Sequence, residues 1–328
     1  MVGDVSARLR VWVIVAGAAT VAAGVTVGAT VLTATHVHKT QSATGLRPGV
    51  PPLVLDLGVR TDREAQSLRR AETLFGDGKR RQAAAIFARY SSPEARVGAA
   101  LATWPGGRAE LGRLASEKPR SAVVQLNLGL ARYWERDAKQ AEAAWRLAKR
   151  LAPDSLYAVR AGDLLHPDLP IPGLPQFVPS FASPPQLAKL APPAQFAFLA
   201  ARARRGGVRA KLLYGVALQR VDRPVSAERQ FAAAAALAPD DVEAQVARDV
   251  GLFDKDRPAV AFSRLGPLAK EHPRSVTVRF HLGLLLLWLG QVQQAKRQLT
   301  LARAAGPGTP LGQEAQQFLV RLAKLRTR

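Results

Sequence analysis

Apolar positions recur with a helical period along most of the chain, most clearly between Ala122 and Ser155. This stretch predicts two short helices. On the second helix, Ala141, Trp145 and Ala148 stand at positions i, i+4 and i+7 and so form one stripe. Pro153 ends that helix, because proline cannot continue it. We therefore interpret the stretch as one helical hairpin whose apolar faces pack together.

The spacing within this hairpin is repeated elsewhere in the chain. Counted from Gly129, the stripe and the final proline follow after 12, 16, 19 and 24 residues. Two further sets fit the same spacing: Gly215 with Ala227, Phe231, Ala234 and Pro239, and Gly283 with Ala295, Leu299, Ala302 and Pro307. The prolines at 239, 273 and 307 are 34 residues apart, and a period near 34 is typical of stacked helical hairpins.

A longer repeat divides the helices into two blocks. Residues 112–121 (GRLASEKPRS) align with residues 266–275 (GPLAKEHPRS) at an offset of 154, which predicts two blocks of three hairpins related by duplication. Between them lies a segment too rich in proline for continuous helix, which we expect to pack along the helices or to bridge the blocks. The predicted boundaries are a basic segment at 1–10, a transmembrane helix at 11–35, a linker at 36–61, a first block at 62–165, a proline-rich connector at 166–194, a second block at 195–320 and a basic tail at 321–328.

Residues 11–35 are 25 residues without a charge, long enough as a helix to cross the hydrocarbon core of a bilayer. Arg8 and Arg10 precede this span, and the short basic head favours a cytoplasmic N-terminus with the large domain on the outer side. We expect a single-pass protein of the cell membrane. A cleaved signal peptide is the alternative, with small residues near Ala29 and Ala34 at which it would be cut.

Small residues repeat within the span and histidines follow it. Gly24 and Gly28 lie four residues apart, a pattern that lets two membrane helices approach closely and makes a homodimer possible; common Gly usage in such helices is the alternative. His36 and His38 are more typical of a solvated linker than of a metal site, so we predict no metal and no cofactor.

Composition narrows the classes of function. The 328 residues include no cysteine, which excludes disulfides and thiolate chemistry, and Asn127 is the only asparagine in a chain whose usage is typical of a high-GC bacterial genome. The formal net charge of +22 favours anionic partners, although nucleic acid is not expected outside the cell. No HExxH, P-loop or GxSxG motif is present, so we predict that the protein is not an enzyme.

The 34-residue period, with its Leu-Gly, Ala-x3-aromatic and final Pro positions, resembles the tetratricopeptide repeat family. The resemblance implies an all-α fold, a right-handed α-solenoid of stacked hairpins, here preceded by one transmembrane helix. In it, Gly and Ala stand where paired helices cross closely and the large residue fills the gap between neighbouring hairpins. The family's aromatic residue early in the first helix is replaced by Gln125, Lys211 or Arg279. Another kind of α-solenoid is the alternative.

The resemblance also implies a groove, lined by the first helix of each hairpin, that holds an extended peptide of a protein partner. The residues that it places there are Asn127, Tyr133, Trp134, Arg209, Gln219, Arg220, His281 and Trp288. For Trp134 and Trp288, packing against the neighbouring hairpin is the alternative. The predicted function is a membrane-anchored scaffold for proteins or peptides. A basic surface adaptor that binds an anionic polymer or lipid head groups is the second hypothesis.

Overall fold

The computed structural model describes residues 46–324, which divide into two compact units, 46–166 and 167–324. The helices of the first unit are α1 (Arg63–Gly76), α2 (Arg80–Phe87), α3 (Pro93–Ala102), α4 (Arg108–Glu117), α5 (Ala122–Trp134), α6 (Ala138–Leu151) and α7 (Leu156–Leu165). Those of the second are α8 (Pro192–Arg205), α9 (Val208–Arg220), α10 (Pro224–Leu237), α11 (Val242–Gly251), α12 (Ala259–Glu271), α13 (Val276–Trp288), α14 (Val292–Ala305) and α15 (Pro310–Lys324), with a short 3₁₀ helix at Pro185–Lys189.

Several helices begin where a side chain accepts a free backbone N–H of the first turn. The Asp62 carboxylate accepts the Ala65 N–H at the start of α1, and Asp241 caps α11 in the same way. Ser92 caps α3 by accepting the Ala95 N–H, and Pro93 is the first residue of that helix. Proline is tolerated there because the first helical residue has no intrahelical bond to donate.

Four hairpins turn through a residue in the left-handed region at one position of the repeat. These residues are Gly78, Arg136, Asp222 and Gly290, with φ of 78°, 65°, 57° and 71°. Glycine adopts this conformation freely, whereas Arg136 and Asp222 carry about 1–2 kcal/mol of strain. The shared geometry shows that the hairpins α1–α2, α5–α6, α9–α10 and α13–α14 are copies of one unit.

A glycine on the first helix lets the second helix of the hairpin approach closely. A Cβ atom there would overlap a large side chain of the second helix; the pairs are Gly129 with Trp145, Gly215 with Phe231, and Gly283 with Leu299. The large residue was expected to fill the gap between hairpins, but it packs first against the glycine of its own hairpin. Phe231 does both, since a Cβ atom at Gly251 of the next hairpin would lie 3.0 Å from its ring.

Within each unit the hairpins stack in chain order. Each first helix contacts the first helix of the next hairpin: α1 contacts α3, α3 contacts α5, and α5 contacts α7, while α9, α11, α13 and α15 form the same series. This arrangement confirms the all-helical α-solenoid. Each unit contains more helices than the three predicted hairpins. In the first unit α7 extends the row of first helices; in the second, α15 does so and α8 packs against α9.

The polar replacements for the family's early aromatic residue have a structural role. Gln125 donates to the Pro119 carbonyl and Arg279 donates to the Pro273 carbonyl, so each binds the backbone that leads into its own helix. Lys211 donates to the Ala203 carbonyl in the last turn of α8. These bonds fix the junctions that lead into α5, α9 and α13.

Several predictions concern parts of the chain that lie outside residues 46–324. They are the basic head, the transmembrane span at 11–35, the Gly24/Gly28 stripe, the histidines at 36 and 38, and the end of the basic tail. Within residues 46–324, no helix is both long enough and apolar enough to cross a bilayer.

Candidate functional site

An extended segment of the chain lies across the first helices of each unit. We call residues 46–57 the first strap and residues 171–181 the second strap, and the surface of first helices beneath each strap its groove. The first strap belongs to the predicted linker at 36–61, and the second to the predicted connector at 166–194. Both straps add apolar side chains to the core of their unit, including Leu55, Leu57, Phe177 and Val178.

Asn127 binds the middle of the first strap. Its side chain is fully buried in α5, its Oδ1 accepts the Val54 N–H at 3.0 Å, and its Nδ2 donates to the Val54 carbonyl at 2.9 Å. The amide also donates to the Val123 carbonyl one turn back in its own helix. The Asn127 amide thus pairs with both the N–H and the carbonyl of Val54, as a neighbouring β-strand would. This pairing does not depend on the side chains of the strap.

The end of α5 binds the start of the first strap. The Trp134 indole N–H donates to the Pro48 carbonyl at 3.3 Å. The Arg47 guanidinium lies 3.9 Å from the centre of the Tyr133 ring and donates to the Tyr133 carbonyl. A cation over an aromatic face and a charged donor on a helix's last carbonyls are both favourable. Tyr133 and Trp134 therefore both contact the first strap.

The other end of the first strap reaches α7 and α1. The Tyr157 hydroxyl accepts the Asp56 N–H at 3.0 Å, and Asp56 accepts the Leu156 N–H at the start of α7. Arg69 of α1 donates to the Leu57 and Gly58 carbonyls. Burial raises the pKa of the Tyr157 hydroxyl, which keeps it neutral. The strap thus crosses α5, α7 and α1.

His281 binds the second strap from the position that Asn127 occupies in the first unit. Its Nε2 accepts the Val178 N–H at 2.9 Å, and its Nδ1 lies 2.7 Å from the Thr277 carbonyl, to which it donates. This pair of bonds requires the neutral imidazole with its proton on Nδ1. Full burial lowers the pKa of His281 to about 4, so the ring is neutral at physiological pH.

Gln219 and Trp288 bind the second strap at residues that precede Val178. The Gln219 carbonyl oxygen accepts the Phe177 N–H at 2.9 Å, and the Trp288 indole N–H donates to the Gly173 carbonyl at 3.1 Å. Trp288 thus has the same role as Trp134, except that its bond is to the glycine of the Pro-Gly pair instead of the proline. Gln219 lies on α9 and Trp288 on α13, so the strap crosses the first helices of its unit.

Charged groups fix the two ends of the second strap. Lys255, in the turn between α11 and α12, is almost fully buried and donates from Nζ to the Ile171 carbonyl at 3.0 Å. At the other end, the Glu243 carboxylate accepts both the N–H and the hydroxyl of Ser180. Such charge-assisted bonds are stronger than neutral ones.

Phe177 is the side chain by which the second strap enters the core. It is 1% exposed, stacks on the His281 ring with 5.0 Å between ring centres, and meets Phe231 edge-on at 5.6 Å. Aromatic pairs at these distances are favourable beyond the area they bury. Specific side-chain burial therefore accompanies the backbone bonds.

The predicted groove residues fall into two sets, one in each unit. Asn127, Tyr133 and Trp134 meet at the first strap, whereas Gln219, His281 and Trp288 meet at the second. Arg209 is exposed, and its guanidinium lies 5.1 Å from the centre of the Phe181 ring at the end of the second strap. Arg220 is partly buried in the last turn of α9, and burial lowers its pKa to about 10.

From the sequence we expected the proline-rich connector to pack along the helices or to bridge the blocks, but we missed the first strap and the groove contacts of Tyr157, Glu243 and Lys255. The signal for the straps is in the sequence: PGVPPLV at 48–54 returns as PGLPQFV at 172–178. Across the part of the chain that the structure describes, no group of three or more His, Asp and Glu side chains could hold a metal ion.

Comparisons with known proteins add little to this geometry. No family model matches the chain, and no curated protein matches it significantly. Solved structures that resemble it include yeast Tom70 (TM-score 0.31, 12% identity, 84% of this chain and 67% of that chain), the APC/C hetero-tetramer Cut9–Hcn1 (0.32, 13%, 79% and 56%) and the TPR2AB domain of yeast Sti1 in complex with pHSP90 (0.29, 12%, 79% and 98%).

At these TM-scores the fold assignment rests on the hairpins themselves. The class that the described residues define is a pair of short α-solenoids, each with an extended segment of its own chain bound across its first helices.

Proposed function

We propose that the protein is a binding scaffold of the tetratricopeptide type, in which the grooves hold an extended peptide of a protein partner. The observation that carries the proposal is that both grooves bind an extended backbone through buried side chains, Asn127 in one and His281 in the other. Backbone bonds of this kind provide affinity for any extended segment, while pockets for alternate side chains provide specificity.

A partner reaches the groove by displacing the strap. The strap is tethered to its own unit and so acts as a competitor at an effective concentration in the millimolar range. The backbone of the strap is bound by side chains of the groove that a second peptide can use in the same way, and a partner must also replace buried strap side chains such as Phe177. The grooves therefore favour a partner that binds tightly or is present at high local concentration.

Site-specific photo-crosslinking in the producing cells tests this proposal. The full chain carries p-benzoylphenylalanine in place of Tyr133 at the groove, or in place of Leu301 on α14 as a matched control that is 46% exposed. We expect a crosslinked partner at position 133 and not at 301. Crosslinks at 133 that stay within the chain, with partner crosslinks at 301, would contradict the proposal.

The salt dependence of the same crosslink separates the scaffold from the charged adaptor. Peptide binding through buried backbone bonds persists at about 0.5 M salt, where the screening length is only a few ångströms. Loss of the crosslink at that salt concentration would instead favour binding of an anionic polymer or lipid surface.

Under this proposal, residues 11–35 anchor the chain in the cell membrane with both units on the outer side. Support comes from 25 uncharged residues after Arg8 and Arg10. Resistance to alkaline extraction and digestion by protease added to intact cells are the expected results. A mature N-terminus near Ala29 or Ala34 would replace the anchor with a cleaved signal peptide, and protection from protease would reverse the orientation.

A further inference from the structure

The two straps carry one sequence motif. Residues 48–54 and 172–178 share Pro, Gly, an aliphatic residue, Pro, any residue, an apolar residue and Val, in that order. This match stands at an offset of 124, whereas the helices repeat at 154, so the straps are not simply part of the aligned helical blocks. Two segments without helical periodicity have kept the same seven-residue pattern.

The motif residues make equivalent contacts in both grooves. Gly49 and Gly173 have φ of 82° and 74°, which side chains rarely adopt, and the prolines that follow two residues later are both buried. The final valine donates its N–H to a fully buried side chain, Asn127 or His281. The contacts with the groove therefore explain why the two straps share these residues.

Each motif position has a physical reason. Glycine turns the strap, so that the indole of Trp134 or Trp288 at the end of the groove helix reaches a carbonyl of the Pro-Gly pair. The apolar residue before valine packs on the core, as Phe177 does on His281. Valine must keep its N–H, so proline is excluded there.

We infer that the grooves recognise the motif Pro-Gly-aliphatic-Pro-x-apolar-Val, and that the partner is an extended peptide carrying this motif, which replaces the strap. The inference rests on the proposed function and names its ligand. The straps are then internal stand-ins for that ligand, and each keeps its groove filled until a partner segment takes its place.

Peptide binding to the full chain tests the inference. A fluorescein-labelled peptide of residues 171–181 is titrated against the wild-type chain and against two chains with a weakened strap, Val178→Pro and Gly173→Ala. The first change removes the N–H that His281 accepts, and the second strains the left-handed turn. We expect both variants to bind the peptide at least about tenfold more tightly than the wild-type chain does, because the tethered competitor is weakened.

Two controls assign the binding to the groove. The same peptide with Val178→Pro retains its charge but lacks the critical N–H, and it should not bind. Adding His281→Ala to the Gly173→Ala chain should abolish binding of the unmodified peptide. Circular dichroism confirms that each chain remains helical.

The alternative outcomes are decisive. Failure of the peptide to bind either folded variant would overturn the inference, and so would unfolding of both variants, because the straps would then be indispensable parts of the core. A partner photo-crosslinked at position 133 that lacks the motif overturns the motif but leaves the scaffold standing. Peptide binding without any crosslinked partner would support the motif and contradict the scaffold.

Discussion

Asn127 and His281 occupy the same position in their hairpins and bind a valine backbone with different chemistry. The amide donates and accepts, so it pairs with both the N–H and the carbonyl of Val54. The imidazole, whose proton lies on Nδ1, offers only Nε2 as an acceptor for the Val178 N–H. A proton added to Nε2 would place two donors face to face, so the bond from His281 to the second strap depends on pH, whereas the bonds of the Asn127 amide do not.

The stability of the second unit should fall as the solution becomes acidic. The pKa of His281 is about 4 in the folded chain and ordinarily 6.5, so below pH 6.5 the unfolded chain takes up a proton that the folded chain excludes. The loss begins near pH 6.5, is complete near pH 4 and amounts to about 3 kcal/mol. Denaturant unfolding followed by tryptophan fluorescence between pH 4 and 7.5 measures it.

His281→Asn is the matched variant, because it installs the residue found in the first unit. Acid also loosens any chain of high positive charge, so the difference between wild type and variant is the informative quantity. We expect that difference to change by about 3 kcal/mol across this pH range. Parallel pH profiles for the two proteins would show that His281 is not the titrating group.

Glu314 on α15 is a second buried group with an energetic cost. It is 2% exposed, neither carboxylate oxygen has a hydrogen-bond partner among residues 46–324, and burial raises its pKa. A raised carboxyl pKa favours the folded state at acidic pH, and that advantage is lost as pH rises through the folded pKa. Glu314→Gln should therefore raise the melting temperature at pH 8, by an amount that shrinks toward pH 4. No gain at pH 8 would argue that the carboxylate is satisfied.

At the scale of the helix pair, Gly129 stabilises its hairpin because it has no side chain and lets the two helices approach closely. Gly129→Ala improves helix propensity, yet the added methyl would overlap the Trp145 ring. We expect a loss of about 1–3 kcal/mol in the free energy of unfolding. Gly112→Ala, on α4 with no atom within 4 Å of the added Cβ, should instead gain about 0.5–1 kcal/mol. Equal effects of the two substitutions in thermal melts would refute the packing argument.

The hairpins could be predicted from sequence because their determinants are local and periodic. Gly129, Trp145 and Pro153 fall at fixed intervals, and helix packing demands small and large residues at those intervals. The turn conformations were harder to predict. Glycine adopts the left-handed conformation at two of the equivalent positions, but arginine and aspartate, which stand at 136 and 222, do not indicate it.

The straps could not be predicted from periodicity. Proline-rich chain has no internal hydrogen bonds, and its partners lie far away in sequence; Val54 and Asn127 are 73 residues apart. Asn127 and His281 could be assigned to a groove that binds backbone, but the sequence did not reveal that this backbone belongs to the same chain. The repeated Pro-Gly motif is the signal in the sequence that could have indicated it.

At the scale of the molecule, the net charge of +22 opposes compaction. Ion pairs such as Arg96 with Glu110 offset little of this repulsion, because pairs near the surface contribute about 0–1 kcal/mol each. Raising NaCl from about 20 to 300 mM shortens the screening length to less than 10 Å, so the melting temperature should rise by a few degrees. A fall would mean that specific ion pairs outweigh the net repulsion.

Each strap precedes in the chain the helices that hold it. Residues 48–54 are already synthesised when α7, the last helix of the first groove, is completed at Leu165, and residue 178 follows roughly 1–3 s later at ordinary rates of translation. The first groove can therefore close on its own strap before the second copy of the motif has left the ribosome. The order of segments along the gene is enough to pair each strap with its own helices, even if the two differ little in affinity.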